Sequence, residues 1–294
     1  DGDAYLLVVP VLLYFFLFHY KSMYGAIIAF KNFAPMRGIL GSPWADNYGF
    51  AHFISFFESY YFGRLLRNTL TISLATLVFG FPAPIILALL LNEVRSTRFK
   101  RVVQTVSYLP HFLSAVIVCG MVRQLLTVDG GLVNTIINAF GGEPIYFLGS
   151  TRFYRTYYVA SGVWQGIGWS SIVYLAAMGN IDTSLYEAAE LDGAGIIKKM
   201  WYVTLPALLP IISITLILQV GSLLSVGHEK TLLLYSTLNY EVSDIISTYV
   251  YREGLVGMQY SYTAAVDLFT SVVNLVLVLS CNWAAKKMGQ EGGW

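Results

Sequence analysis

Charged residues are scarce in this chain, and their scarcity excludes an ordinary soluble domain. Asp, Glu, Lys and Arg together make up only 12% of the 294 residues, and the mean hydropathy is +0.62. A soluble domain of this length carries about twice that fraction of charge. The basic and acidic residues nearly balance, at 18 and 17. The chain therefore lacks the basic excess typical of a nucleic-acid-binding protein, and we expect no nucleic acid among its partners.

The residues that build metal and nucleotide sites are also few. The two cysteines, Cys119 and Cys281, both lie in apolar stretches, which favours buried small side chains over a disulfide or a metal site. The four histidines are isolated, without metal-ligand spacing, so no metal site is predicted. A G-x4-G-K-[ST] sequence does not occur, so this chain cannot itself supply a P-loop for ATP.

Long apolar stretches dominate what is present. Several charge-free runs reach the length of about 20 residues that crosses a bilayer as a helix. Helices are expected because they satisfy every backbone polar group within the segment. The sequence predicts an all-α membrane protein with a single transmembrane domain, 1–294, and six transmembrane helices. The predicted spans are roughly 5–30, 68–92, 102–124, 156–180, 203–227 and 262–285.

Basic residues indicate which loops face the cytoplasm. The loop between the second and third spans carries Arg95, Arg98, Lys100 and Arg101, and the C-terminal tail carries Lys286 and Lys287. The positive-inside rule places both on the cytoplasmic side, together with the loop 182–204. Four arginines flank spans on the opposite side and weaken this assignment. They are Arg64, Arg67, Arg152 and Arg155.

The polar loop 182–204 contains signals for a short surface helix. Ser184 and Glu187 fit the S-x-x-E capping box, so a helix is predicted to begin at Leu185. Gly193 and Gly195 provide a stop after roughly two turns. A second helix is predicted from about residue 196 into the fifth span. The conservative interpretation is an amphipathic connector, but the spacing of the whole loop favours a specific role.

That spacing is Glu-Ala-Ala-x3-Gly-x9-Val-x-Leu-Pro, running from Glu187 to Pro206. It resembles the EAA loop of ABC importer permeases, although that loop usually carries Ile where Val203 stands. Segments 18–30, 67–74, 81–95, 107–114, 229–235 and 246–254 are similar to the carbohydrate importer permeases of the oligosaccharide branch. The resemblance thus covers most of the chain.

The resemblance implies a type I ABC permease fold in the bacterial cytoplasmic (inner) membrane and a transport subunit without enzymatic activity of its own. Its expected partners are a second, nonidentical permease, two ABC ATPases that hold ATP and Mg²⁺, and an extracytoplasmic solute-binding protein that delivers an oligosaccharide. Relatives in this branch handle acidic oligosaccharides, such as aldouronates or alginate fragments, as well as neutral ones, so the substrate stays open. The residues expected to couple to the ATPases are Leu185, Glu187, Ala188, Ala189, Asp192, Gly193, Leu205 and Pro206.

Polar and aromatic residues within the predicted spans are candidates for the substrate pathway, because sugars bind to aromatic faces and fixed polar groups. Such residues equally form hydrogen bonds between membrane helices. The candidates are Gln104, Trp164, Gln165, Trp169, Tyr174, Gln219, Asp267 and Asn274. Pro82 and Pro84 add a predicted kink in the second span.

Asp267 departs from the family pattern, in which a small neutral residue is usual at this position. A carboxylate within a span is costly and normally faces a cavity or a partner. Three interpretations stay open: an acceptor for sugar hydroxyls, an ion pair with Arg123, or an exposed position at the outer end of the span. The alternative function is an ion-coupled secondary transporter that uses Asp267 as its relay group. Inverted repeats would support that alternative, and none is apparent.

Overall fold

The structure, a computed structural model, describes residues 2–287, with side chains from residue 6 onward, and this part of the chain contains helices and loops but no β-strand. The α-helices, in chain order, are α1 (Gly2–Phe15), α2 (Lys21–Met23), α3 (Gly38–Gly41), α4 (Ala51–Phe57), α5 (Phe62–Gly80), α6 (Pro82–Glu93), α7 (Thr97–Tyr108), α8 (Ala115–Leu126), α9 (Leu132–Ala139), α10 (Thr151–Met178), α11 (Thr183–Leu191), α12 (Ile196–Lys199), α13 (Leu205–Val220), α14 (His228–Leu234), α15 (Tyr240–Ser243), α16 (Ile246–Val250) and α17 (Tyr260–Lys287). The π-helical segments are Phe16–Tyr20, Met200–Thr204 and Tyr251–Val256, and the 3₁₀ segments are Tyr24–Phe30, Pro35–Arg37, Asn47–Gly49, Leu109–Phe112 and Phe147–Gly149.

The predicted all-α membrane architecture is confirmed, while the count of six spans stays a prediction. Four helical runs in the described chain are long and apolar enough to cross a membrane: Leu6–Phe30, Phe62–Glu93, Ile196–Val220 and Tyr260–Lys287. A fifth is added if the bent pair formed by α7 and α8 is one span. Helix α10 lies over the predicted fourth span and is less apolar, but its 28 residues at about 1.5 Å each exceed the roughly 30 Å of a bilayer core.

The stretch 102–124 was predicted as one helix, and the structure corrects this. Thr97–Phe112 and Ala115–Leu126 meet at an angle of 104°. Two local features account for the break. Pro110 lacks the backbone N–H that a continuing helix needs. Ser114 has an extended backbone, and its hydroxyl accepts a hydrogen bond from the Ile117 N–H, so Ser114 is the N-cap of α8.

The helices of the second and fifth predicted spans also differ from the prediction: the second is interrupted and the fifth is shorter. The run in the second span is interrupted at Phe81, directly before Pro82, as expected from the prolines there. The fifth span was predicted to reach residue 227, but α13 ends at Val220. The chain then turns, and the Asn274 side chain accepts a hydrogen bond from the Leu224 N–H at 3.0 Å. This bond to a side chain of α17 gives the Leu224 N–H the acceptor that a continuing helix would have supplied.

Helix α10 lies at the centre of the bundle and contacts α5, α6, α7, α8 and α13. Its glycine at position 168 makes the closest of these contacts possible. A Cβ at Gly168 would lie 2.1 Å from the Ser107 carbonyl oxygen of α7. Only a residue without a side chain permits this approach of two backbones, as is common between membrane helices.

Candidate functional site

The surface helix of loop 182–204 is α11, and its caps differ in part from the prediction. The helix begins at Thr183 rather than Leu185, and Asp182 is the N-cap. The Asp182 carboxylate accepts a hydrogen bond from the Ser184 N–H at 2.9 Å, and this bond lowers the pKa of the carboxyl. Ser184 therefore lies inside the helix, and no capping box with Glu187 forms.

The C-terminal end of α11 has the predicted glycine stop. Gly193 has a φ of +74°, a conformation that costs residues with a Cβ about 1–2 kcal/mol. The Gly193 N–H donates to the Glu190 carbonyl at 3.0 Å, and the Ala194 N–H donates to the Ala189 carbonyl at 2.9 Å. These two bonds form a Schellman motif, which ends the helix and turns the chain toward α12.

Two polar contacts fasten α11 to the helix that follows it. The hydroxyl oxygens of Tyr186 and Thr204 lie 3.0 Å apart. One turn further along α11, Lys199 Nζ donates to Glu190 Oε1 at 2.6 Å. The Lys199 ammonium lowers the pKa of the exposed Glu190 carboxyl through this hydrogen bond and through its charge. A force applied to α11 thus reaches the start of the fifth predicted span by side-chain contacts as well as along the backbone.

The rest of this loop presents an unpartnered apolar surface. Its large apolar side chains are exposed, and Leu191, at 90%, and Ile197, at 80%, are the most exposed of them. Leu185, Trp201 and Tyr202 are exposed on the same loop. Of these, only Leu185 was among the predicted coupling residues. The others were missed because each belongs to an apolar pattern that the adjoining span equally explains.

The remaining predicted coupling residues lie in three environments. Four are exposed on the loop: Glu187, Ala188, Asp192 and Gly193. Ala189 is half-buried. Leu205 packs against the buried cluster that includes Tyr174, Met178 and Leu208, and Pro206 is exposed at the first turn of α13.

Three of the predicted pathway residues form hydrogen bonds between helices. Gln165 donates from Nε2 to the Leu113 carbonyl at 2.9 Å, across the break between α7 and α8. The Tyr174 hydroxyl is 3.0 Å from that of Thr215. Asn274 holds the turn after α13 through Leu224 and through Ser225 Oγ, which lies 3.0 Å from its Nδ2. These side chains are committed to packing in this conformation.

The aromatic candidates are more exposed, and they do not lie together. Trp169 stacks on His111 with ring centroids 4.6 Å apart and planes 1° apart. Trp164 lines apolar hollows beside α5 and α8, while Gln104 is half-buried on α7. The structure therefore does not bring the predicted set into one site.

Gln219 lines a cavity of about 270 Å³ between α5, α10, α13 and α14, with a lining of mixed polar and apolar side chains. The cavity also contains Lys230, which the sequence analysis did not single out. Burial lowers the pKa of the Lys230 ammonium to about 8, because a low-dielectric environment disfavours the charged form. Lys230 lies in a loop between predicted spans and belongs to no recognisable motif. The sequence therefore gives no signal that its side chain lines a cavity.

Asp267 lies at the edge of a separate cavity of about 490 Å³, which also includes Ile28, His228, Tyr260 and Thr263. The Asp267 side chain is exposed, and its carboxylate accepts no hydrogen bond within the described chain. The predicted ion pair with Arg123 is not among the salt bridges of residues 6–287. That pairing is wrong for this chain, whereas an open position facing outward from the subunit fits.

A buried ionic cluster, which sequence reasoning also missed, fastens the loop before α17 to α5. Asp244 is 1% exposed. Its Oδ2 accepts from Arg64 Nη2 and its Oδ1 from Arg252 Nη1, both at 3.2 Å. Asn68 donates to the Asp244 carbonyl at 3.0 Å, and the ring of Tyr240 lies 5.3 Å from both guanidinium groups. We call these five residues the Asp244 cluster.

We expect Asp244→Asn to destabilise the chain by about 3 kcal/mol, because Arg64 loses its counter-charge and Arg252 keeps only that of Glu253. This is the lower end of the usual range for breaking a buried ion pair, since the Arg64 and Arg252 side chains are 23% and 35% exposed. Thermal unfolding of the purified protein in detergent measures the effect. Asp129→Asn is the matched control, because Asp129 is exposed. Equal unfolding midpoints for the two variants would contradict the assignment.

Among residues 6–287, no group of three or more His, Cys, Asp or Glu side chains is placed to hold a metal ion.

Comparisons with known proteins identify a family and similar relatives. A family model described as "Binding-protein-dependent transport system inner membrane component" matches residues 80–290. The chain is 48% identical to the polygalacturonan/rhamnogalacturonan transport system permease protein YteP of Bacillus subtilis (strain 168), over 98% of this chain and 89% of that protein. It is 46% identical to Protein LplB of the same organism, over 99% and 91%.

This chain is also similar to chains of two solved transporter structures. A bacterial ABC transporter involved in the import of the acidic polysaccharide alginate contains a chain that superimposes with a TM-score of 0.89 at 41% identity, covering 98% of this chain and 96% of that one. A second alginate transporter structure, in complex with an alginate pentasaccharide-bound periplasmic protein, gives a TM-score of 0.90 at 40% identity, covering 99% and 96%.

Proposed function

This chain belongs to the family of inner membrane components of binding-protein-dependent transport systems, and from that membership we propose that it is the permease subunit of an ABC importer for oligosaccharides. The observation that carries the proposal is the 48% identity, over 98% of this chain, to a polygalacturonan/rhamnogalacturonan transport system permease protein. The names of the relatives refer to pectic polymers and to the acidic polysaccharide alginate. Oligosaccharides, acidic ones among them, are the substrate class that these names support.

The proposed partners follow from membership of this family. A second, nonidentical permease completes the conduit with this subunit, and an extracytoplasmic solute-binding protein delivers the sugar. Two ATPase subunits hold ATP and Mg²⁺, so this chain needs no cofactor and catalyses no reaction itself. The exposed apolar surface formed by Leu185, Leu191, Ile197, Trp201 and Tyr202 is the proposed docking face for one ATPase, because apolar side chains of this size are buried in stable interfaces.

The proposed coupling runs through α11. When the ATPases close on ATP, the docked α11 moves with them. The Tyr186–Thr204 and Glu190–Lys199 contacts transmit that movement to the base of α13. The spans then shift between inward-facing and outward-facing arrangements, as rigid helices connected by short loops do. An ion-coupled mechanism through Asp267 has no comparable support, because family membership points to ATP as the energy source.

Reconstitution tests this proposal. We expect the chain alone in liposomes to transport no sugar, because one subunit forms only half of a conduit. Co-expression with a second permease and two ATPase copies should give one stable complex that takes up oligosaccharide when ATP and the binding protein are present. Sugar accumulation by the chain alone, driven by an ion gradient, would refute the ABC importer and support the secondary transporter.

A further inference from the structure

The cavity next to Lys230 is lined by more hydrogen-bonding side chains than hydrogen bonds within the described chain use. Its polar lining residues come from α5, from the end of α13 and the turn after it, and from α14. They are Ser73, Thr76, Gln219, Ser222, Ser225 and Lys230. Within the described chain, the side chains of Thr76 and Gln219 form no hydrogen bond. Both side chains are half-buried, so their polar groups are available to form hydrogen bonds with a ligand or water in the cavity.

Lys230 is the charged member of this lining. Its Nζ donates to the Tyr158 carbonyl at 2.7 Å and lies 4.5 Å from the centroid of the Tyr158 ring. An ammonium has three N–H donors, so two stay without a protein acceptor in the described structure. No carboxylate lies within 4.0 Å of this Nζ among residues 6–287.

Other enclosed cations in the chain are compensated differently. Arg64 and Arg252 share the Asp244 carboxylate. Lys31 donates to the carbonyls of Ile39 and Leu40 and lies over the Trp44 ring. Lys230, by contrast, contacts the carbonyl and the ring of Tyr158, and it lines a cavity. A partly desolvated cation without a counter-charge is costly unless an anion joins it.

We propose that Lys230 and the neighbouring Gln219 and Thr76 form a binding site for one carboxylate-bearing sugar unit on the translocation path. The Lys230 ammonium binds the carboxylate, and the amide and hydroxyl groups bind sugar hydroxyls. At about 270 Å³, the cavity is slightly below the usual size of a small-molecule pocket, so it fits a single unit of a longer chain. This proposal rests on the proposed import function and narrows its substrate class to acidic oligosaccharides.

The test uses the complete transporter in proteoliposomes, with its own binding protein, and two probes: trigalacturonate and the neutral galactotriose. Lys230→Met should lower kcat/KM for trigalacturonate uptake by about 10- to 100-fold, the loss expected for a hydrogen bond to a charged group. Lys230→Arg keeps the charge and should stay within about threefold of wild type. Lys21→Met, which removes an exposed lysine that does not line the cavity, is the control. Basal ATP hydrolysis and the unfolding midpoint should not change in Lys21→Met.

A second variant covers the case in which Lys230→Met does not assemble. Gln219→Glu places a carboxylate in the same cavity, where it competes for the Lys230 ammonium and repels an anionic sugar. It should lower trigalacturonate uptake about tenfold or more and leave any galactotriose uptake within about threefold.

The possible results separate the two proposals. If the wild-type complex imports neither probe, the import function itself is wrong. If it imports galactotriose but not trigalacturonate, import stands and the acidic site is wrong. The site is equally refuted if Lys230→Met retains trigalacturonate uptake, if Lys230→Arg loses as much as Lys230→Met, or if Gln219→Glu lowers uptake of both sugars alike.

Discussion

Gly193→Asp is expected to abolish substrate-stimulated ATP hydrolysis, or to release the ATPase subunits, while the chain still folds and inserts. Gly193 adopts a φ of +74° at the end of α11, where a Cβ costs about 1–2 kcal/mol. Nothing lies within 4 Å of the position that this Cβ would occupy. The effect within the chain is therefore backbone strain rather than a clash. Strain here opens the Schellman turn that sets the direction of α11 against α12, and no predicted span is touched.

Gly195→Asp is the matched control for this variant. It adds the same charge two residues away, with open space around its Cβ as well. Gly195 has a φ of −72° and is the N-cap of α12, a position where Asp is among the preferred residues. We expect it to retain at least half of wild-type stimulated ATP hydrolysis.

The measurement is ATP hydrolysis with and without binding protein and sugar, together with co-purification of the ATPases. If both variants fail equally, added charge on the docking surface is the cause and the turn conformation is not. Wild-type uptake by Gly193→Asp with the ATPases still bound would remove α11 from the coupling mechanism.

Gly168→Ala is expected to destabilise the subunit strongly, by about 1–3 kcal/mol or more. The added methyl carbon would lie 2.1 Å from the Ser107 carbonyl oxygen and 2.8 Å from the Tyr108 nitrogen. Both are backbone atoms of α7, so no side chain can move aside, and α7 must separate from α10. That separation also pulls apart the Gln165–Leu113 hydrogen bond.

Gly166→Ala, on the same helix, is the control, because nothing lies within 4 Å of its Cβ position. Alanine is also the better helix former by about 1 kcal/mol, so this variant should be as stable as wild type or slightly more stable. Thermal unfolding and the yield of monodisperse protein in detergent distinguish the two variants. Indistinguishable midpoints would show that α7 and α10 do not need this close contact.

The sequence shows the arginines on the outer side, but only the structure explains why they are there. Arg64 and Arg155 weakened the topology assignment when each was counted as a free charge. The structure places Arg64 against Asp244, and Arg155 donates from Nη2 to Asn68 Oδ1 at 3.2 Å. Both arginines are thus bound in contacts between distant segments, so their presence on this side has a structural reason. Counting charges along the chain cannot detect a partner some 180 residues away, as for Arg64 and Asp244.

The sequence alone determined the features that depend on neighbouring residues. Apolar runs predicted a helical membrane protein, because helices satisfy their own backbone hydrogen bonds in lipid. The loop 182–204 was predicted to hold a short helix that stops at Gly193, because local turn chemistry decides where a helix ends. Its start was misplaced by two residues, since Ser184 and Asp182 both qualify as caps and only backbone geometry chose between them.

Only the tertiary structure decided which distant side chains meet. The candidate pathway residues all looked alike in sequence, yet Gln165, Tyr174 and Asn274 bond to other helices, while Gln219 lines a cavity. The half-buried position of Lys230 likewise depends on how α14 packs against α10, where its Nζ donates to the Tyr158 carbonyl. The physical reason is that contacts across the bundle decide whether a polar group is buried and which group it bonds to. Residue type and spacing along the chain do not specify those contacts.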